Sequence, residues 1–331
     1  MIQFTILIPH KNIPRLLQRC LDSIPRREDI QIIVIDDNSS QDQVDFEHFP
    51  GLNDPYVEIV FTKEGKGAGY ARNIGLSKAK GKWLLFADAD DFYNPCLGDI
   101  LSEYKENPAD IIYFKNDIVN TITCSSVNFQ NNWRNKRNNY IDLYKRKPRK
   151  AQLLLRYQAG MPWGKIIKRE LVERHEIKFD TTSVWNDVRF GYLTGFYASN
   201  IAVDERTIYT VTIREGSIQN SELNIEKRLD YIFVAGNLGI FLKEHHIPIL
   251  MTKHFEQLLW INIHNKPDYF RAKNVLFDLG YCNEEIIVHL LKMKIKAMER
   301  NIKKRLLFYI PPVIISNYRR FKHMLFGLLA L

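Results

Sequence analysis

The first half of the chain is built from short unbroken apolar runs separated by stretches with helical spacing. Phe4-Thr5-Ile6-Leu7-Ile8, closed by Pro9, reads as a strand buried on both faces. Ile13, Leu16, Leu17 and Leu21 then share one helical face. Ile32-Ile33-Val34-Ile35 predicts a second strand and Val57-Glu58-Ile59-Val60-Phe61 a third. A loop through Lys63-Glu64-Gly65-Lys66-Gly67 enters a helix at Tyr70. Trp83-Leu84-Leu85-Phe86-Ala87 predicts a fourth strand and Asp110 to Phe114 a fifth. Strands alternating with helices predict a doubly wound, Rossmann-like α/β domain.

The pattern changes after the fifth strand. Residues 116–150 are polar and rich in Asn, Lys and Arg, and they read as an excursion over the active face rather than core. Helical spacing resumes at Ala151, with further helices expected over Lys168–His175 and from Phe190 to Ala198. Ile201–Val203 and Ile208–Ile213 read as two strands, and Arg214 to Ile218 as a turn. From Leu223 the chain is helical and increasingly basic. Ile295, Met298, Ile302, Leu306 and Tyr309 fall on one face, with Lys292, Lys296, Arg300, Lys303 and Lys304 largely off it. Pro311-Pro312 breaks that helix, and a second segment spaces Ile314, Phe321, Leu325 and Leu328 in the same way. The expected organisation is an α/β domain over 1–220 and a helical, basic region over 221–331.

Composition narrows the partners. A 331-residue chain that is 45% hydrophobic and 26% charged has material for a sizeable core. Four scattered cysteines form no Cys-x-x-Cys pair, which excludes a zinc pattern or disulfide framework and makes a reducing cytoplasm the expected location. The amino terminus runs straight into a strand, without the basic and apolar regions of a signal peptide. The formal charge of +9 suits nucleic acid, an anionic membrane face or phosphate-bearing ligands. Its concentration in amphipathic C-terminal segments, with no nucleic-acid module present, favours a peripheral helix pair on an anionic membrane surface. The competing reading is a helical subdomain packed on the α/β domain, or a homodimer interface.

The chemistry gathers where apolar runs stop. Asp88-Ala89-Asp90-Asp91 follows the fourth strand and Asp36-Asp37 the second. Carboxylates crowded at a strand end repel one another, and a cation relieves this; all-oxygen ligation suits Mg²⁺ or Mn²⁺. A solvated turn is the bland alternative. Gly67 and Gly69 form only a weak phosphate-loop signal, because the full dinucleotide fingerprint and the Gly-Lys-Ser/Thr signature are missing.

Taken together, Thr5-Ile6-Leu7-Ile8-Pro9 with Asn12, Ile33-Val34-Ile35-Asp36-Asp37-Asn38-Ser39, Gly67 with Ala71-Arg72-Asn73-Ile74-Gly75, and Phe86-Ala87-Asp88-Ala89-Asp90-Asp91 resemble the family 2 inverting glycosyltransferases of GT-A fold. Pro162-Trp163-Gly164-Lys165, Asn186-Asp187-Val188-Arg189-Phe190 and Tyr209 to Ile218 extend the resemblance to bacterial polysaccharide and lipopolysaccharide members. It covers roughly residues 1–220.

The resemblance implies a metal-dependent transfer from a nucleotide-sugar donor, usually a UDP-sugar, to a hydroxyl of a glycan or lipid-linked acceptor. Pro9 would line the base pocket, Asp37 would accept from the nucleobase, and Arg72 would pack near base and phosphates. Asp88 would sit at ribose and metal, Asp90 would ligate the metal, and Asp187 would be the general base. Arg214 is a candidate for the diphosphate and Trp163 for the acceptor sugar. Bland alternatives stand beside these: a cap or Asx-turn for Asp37, a solvated arginine for Arg72, a polar helix face for Asp187, a core aromatic for Trp163 and a turn-stabilising side chain for Arg214. Asn186 replaces the family's usual Glu, which removes a like charge beside Asp187 and leaves open a nucleotide-sugar-binding homologue without turnover. Lys11 replaces the usual aromatic before Asn12.

Overall fold

The computed structural model describes residues 1–127, 135–213 and 223–295. In chain order its elements are β1 (Phe4–His10), α1 (Pro14–Asp22), β2 (Ile30–Asp37), β3 (Val57–Thr62), α2 (Ala68–Lys78), β4 (Trp83–Phe86), β5 (Phe92–Tyr93), α3 (Leu97–Tyr104) and β6 (Ile111–Asn120). Then follow α4 (Lys136–Tyr144), α5 (Pro148–Gln158), β7 (Lys165–Lys168), α6 (Arg169–Arg174), α7 (Val188–Tyr197) and β8 (Ile201–Ile213). The helices α8 (Ile225–Glu244), α9 (Lys253–His264) and α10 (Tyr269–Asp278) complete the order, and residues 283–295 are also helical.

One mixed sheet runs β3-β2-β1-β4-β7-β6-β8-β5. β3, β2, β1 and β4 are parallel neighbours, as are β6 and β8, while β7 and β5 pair antiparallel. Alternation along each strand builds two cores. Phe4, Ile6, Ile32, Val34, Trp83 and Leu85 face α1 and α3, whereas Leu7, Ile33, Ile35, Leu84 and Phe86 face α2 and α7. Burial on both faces explains why these strands read as unbroken apolar runs. Pro14 starts α1 at the position where a missing amide proton costs nothing.

Three expectations change. The polar stretch after the fifth strand is not all excursion: β6 continues to Asn120, and α4 buries Arg137 and Ile141. The two expected strands near 201–213 are one strand, β8, whose pairing with β6 shifts register near Lys115. Lys165–Lys168 is a short buried strand, inserted antiparallel between β4 and β6, so the helix expected from Lys168 starts at Arg169. Four residues are too few to show a period.

The chain divides into two compact units, Met1–Val234 and a second starting at Ala235. Among the described residues no helix is long and apolar enough to cross a membrane. Most of the basic C-terminal pattern beyond Ile295 lies outside the described residues.

Candidate active site

The parallel strands deliver their polar ends side by side. His10 lies opposite Asp36 in the register of β1 and β2, and Pro9 lies opposite Ile35. His10 Nδ1 and an Asp36 oxygen are 2.8 Å apart, and the Ser39 amide and hydroxyl donate to the same carboxylate at 2.9 and 2.5 Å. Burial opposes the charge on Asp36, but these hydrogen bonds outweigh it and hold the carboxyl below its usual range. Asp36 is thus committed to the fold. Its neighbour Asp37 accepts from the Gly67 amide at 3.0 and 3.1 Å and from Lys11 Nζ at 3.3 Å. Gly67 has φ +91°, a conformation that a side chain would strain, and it immediately precedes α2. Asp37 therefore ties the loop before α2 to the end of β2.

Helix α2 is the hinge of the arrangement, and its sequence explains where it sits. A Cβ at Gly75 would press on Leu7 and Ile35, so this glycine lets the helix lie close on β1 and β2. A Cβ at Gly69 would run into the Asp180 carbonyl, so the helix start touches the loop before α7. Asn73 clamps that loop by donating to the Phe179 carbonyl and accepting from the Phe179 amide, both at 2.9 Å. Arg72, on the same helix, donates to Asp88 at 2.5 Å and to the Asn186 side chain at 2.9 Å. The acidic end of β4 and the Asn186-Asp187 pair are joined by one buried guanidinium.

The three acids after β4 have separate fates. Asp91 is buried, accepting from the Thr212 amide at 2.7 Å and from the Tyr209 hydroxyl at 3.0 Å. Burial, then the charges of Asp90 and Asp88, push its pKa well above the usual carboxylate value. The Tyr209 hydroxyl also accepts from the Asp88 amide at 2.8 Å, which fixes the turn. The Asp90 carbonyl accepts from Arg19 and from the Thr212 hydroxyl, both at 2.6 Å. Asp88 keeps its side chain 33% exposed beside Arg72.

Asp88 and Asp90 together are a hard, all-oxygen donor pair, which suits Mg²⁺ or Mn²⁺. Burial is the main cause of the rise at Asp91, but the charges of Asp90 and Asp88 add to it, and an ion at that pair would offset their part. No group of three or more His, Cys, Asp or Glu able to hold a metal occurs among the described residues, so Asp88 and Asp90 would leave most positions around an ion to other ligands.

Asp187 directly precedes α7, at the end of a braced turn. Ser183 donates to Asp230 through its amide and hydroxyl, at 2.8 and 2.6 Å, and the Trp185 ring lies 3.8 Å from that of Tyr231. Trp185 has φ +55°, a left-handed conformation rarely adopted by a bulky residue, and strain of this kind gathers at functional turns. Burial raises the Asp187 pKa above the ordinary value; Arg72 opposes the rise and Asp88 adds to it. A partly buried carboxylate with a raised pKa is the kind tuned for proton abstraction.

Trp163 is in the core. It is 4% exposed, stacked on Tyr209 with centroids 5.4 Å apart, and the Arg137 guanidinium lies 4.5 Å from its centre. It backs the tyrosine that holds the Asp88 turn and offers no open face to a sugar. Arg214 lies outside the described residues. Sequence reading missed Asn73 as a clamp, Tyr209 as a bridge and Asn186 as the partner of Arg72. An amide on the buried face of α2 was the only available hint.

Several known proteins are similar to this chain in sequence or in fold. EpsH of Bacillus subtilis is 21% identical over 223 residues, which is 65% of this chain and 62% of that protein. Glycosyltransferase GlyA of Streptococcus pneumoniae is 22% identical over 259 residues, 73% of this chain but only 36% of GlyA. The chain thus matches less than two thirds of the length of either relative. Among solved structures, S. aureus TarS 1–349 in complex with UDP-GlcNAc superposes with a TM-score of 0.59 at 18% identity, over 82% of this chain and 79% of that one. That likeness carries the GT-A fold. With its residues 5–175 matching the model named Glycosyl transferase family 2, the chain belongs to that family.

Proposed function

We propose that this protein is an inverting glycosyltransferase that moves a sugar from a nucleotide donor to a hydroxyl of a glycan or lipid-linked acceptor in cell-surface polysaccharide synthesis. The carrying observation is Arg72, whose guanidinium reaches Asp88 and Asn186 at once and so unites the donor-side acids with the Asp187 turn. Family membership and the names of the relatives support the transferase reading. The UDP-GlcNAc bound to TarS supports a UDP-sugar as donor.

The roles follow from chemistry. Pro9 and Asp37, at the ends of β1 and β2, would border the nucleobase. Arg72 would steer the diphosphate and keep Asp187 apart from Asp88. Asp88 and Asp90 would hold Mg²⁺ or Mn²⁺, which supplies charge neutralisation at a departing diphosphate. Asp187 takes the proton of the acceptor hydroxyl as that oxygen forms a bond to the anomeric carbon. The bond from that carbon to the phosphate oxygen breaks, and the nucleoside diphosphate leaves on the opposite face with inversion. Peripheral binding to an anionic membrane surface is part of the same reading. It is supported by Ile287, Val288, Leu291 and Ile295, exposed together on the helical stretch 283–295 that leads into the basic tail.

The test is donor screening by thermal shift with Mn²⁺, followed by donor hydrolysis and transfer assays on wild type and Asp187→Asn. Stabilisation by a UDP-sugar that needs the metal, with turnover lost in the variant, is expected. Equal rates for both proteins would remove Asp187 as the base.

A further inference from the structure

Near the Asp187 turn lie two buried basic side chains with no ion-pair partner among the described residues. Arg137 on α4 is 0% exposed and Lys165 on β7 is 2% exposed. Neither makes an ion pair with a described carboxylate, and Lys165 Nζ, Arg137 Nε and Arg137 Nη1 have no hydrogen-bond partner in the protein. Among the described residues the guanidinium bonds only the Met161 carbonyl, at 3.1 Å. A Cβ on Gly164 would collide with Arg137 Nη1, so the guanidinium rests on the backbone directly before Lys165. Lys165 pairs in register with Tyr113, its amine lies 5.1 Å from that ring, and the buried Tyr113 hydroxyl also lacks a partner. Asn116, clamped through its backbone by Asn138 next to Arg137, has both side-chain amide atoms unpaired.

Water can satisfy a stray hydrogen bond, but it gives little charge stabilisation to two basic groups placed together in a low-dielectric interior. An anionic oxygen group does both, and the guanidinium fork with an adjacent ammonium is the pairing that phosphate and carboxylate favour. Arg137 bonds the Met161 carbonyl, and a Cβ on the adjacent Gly160 would lie 3.6 Å from the Val188 Cα, directly after Asp187, so the two basic groups lie near that turn; the Asp187 charge bears on both. The rings of Tyr209 and Trp163 are stacked in turn between the Asp88 turn and Arg137, which puts the cations away from the donor-side acids.

We infer that Arg137 and Lys165 form an anion subsite that takes a phosphate or carboxylate group next to Asp187, so that the acceptor is an anionic glycan or lipid-linked phosphate. Naming the acceptor rests on the transferase reading; the anion subsite does not. Burial and the neighbouring Arg137 push the Lys165 amine well below its ordinary pKa, and a bound anion would reverse that push.

The test is thermal unfolding of the full chain in inorganic phosphate or acetate against chloride at matched ionic strength. Arg137 packs on Trp163, so its removal endangers the fold; Lys165→Met keeps length and apolar bulk. Saturable stabilisation of wild type by phosphate or acetate is expected, with apparent affinity weakened about tenfold or more in Lys165→Met. An identical response in both proteins, or none in wild type, overturns the subsite. Inhibition of transfer by phosphate in competition with acceptor assigns the group to the acceptor, whereas non-competitive inhibition assigns it to a free anion. Donor hydrolysis by wild type, measured separately, distinguishes failure of the transferase reading from failure of this one.

Discussion

Arg72 donates to Asp88 across 2.5 Å, and this bond ties helix α2 to the acidic end of β4. The same guanidinium donates to Asn186 at 2.9 Å, so an arginine that sequence alone leaves as a solvated helix residue is the link between two distant motifs. Replacing it with Met removes both bonds. Because Asp88 is a third exposed, the stability loss should be moderate, about 1–3 kcal/mol. Donor turnover should fall more, on the order of 10²-fold, because positioning is lost. Arg72→Lys should not rescue, since one ammonium cannot reproduce the fork. Urea unfolding alongside donor hydrolysis checks this; full activity in the lysine variant would contradict it.

The close approach of α2 to the Asp180 carbonyl gives a second prediction. Gly69→Ala forces a Cβ into that backbone atom, so helix and loop must separate, at a cost of about 1–3 kcal/mol with a drop in donor turnover. Gly98→Ala in α3 is the control, because nothing lies within 4 Å of the added carbon. There the gain in helix propensity should leave stability unchanged or raised by up to about 1 kcal/mol. Melting curves of the two variants should shift in opposite directions or in only one of them.

How much of this was legible beforehand depends on the kind of signal. The apolar runs of β1, β2 and β4 were plain because both of their faces are buried, and the acids at their ends followed from them. β7 was not visible, because four residues carry no period and its antiparallel place depends on β4 and β6 on either side. Asp37 shows the limit at a single site. Sequence left it between a cap and a base-pocket acceptor, and the structure gives it a backbone partner at Gly67 and a lysine partner at Lys11. Trp163 shows the opposite limit. A motif drew the eye to it, but burial against Tyr209 makes it core. Pairings across more than a hundred residues, such as Arg72 with Asn186, leave no trace in local pattern.

Asp187 sets the acid side of the activity profile. Its pKa is raised by burial, so the ionised form that can accept a proton is lost as pH falls through a value above the ordinary 3.8. Below that value kcat/KM should fall about tenfold per pH unit. Asn186→Glu adds a like charge and draws on the Arg72 guanidinium that opposes the rise, so the acid limb should move to higher pH. Asp187→Asn should remove about 10²–10⁴-fold of the rate. A limb that stays in place in Asn186→Glu would separate that profile from Asp187.

In the second unit, His254 on α9 is 1% exposed and neither ring nitrogen has a partner. Phe255 and Tyr281 pack on its ring, with centroids 4.0 and 5.0 Å away. Burial, and then the charge of His289, push its pKa down to about 3. An unfolded chain protonates histidine near its ordinary value of about 6.5, while this folded one stays neutral down to about 3. The folded pKa is the lower of the two, so stability is retained above about pH 6.5 and lost as pH falls toward 3, by about 1.4 kcal/mol per unit. His254→Leu removes the titrating group and two unsatisfied polar atoms, so it should match or exceed wild-type stability at pH 8 and flatten the loss below pH 6. Hydrogen exchange at the α9 amides measures this unit directly, and equal acid sensitivity in the two proteins would show that the imidazole reaches a proton source in the folded state.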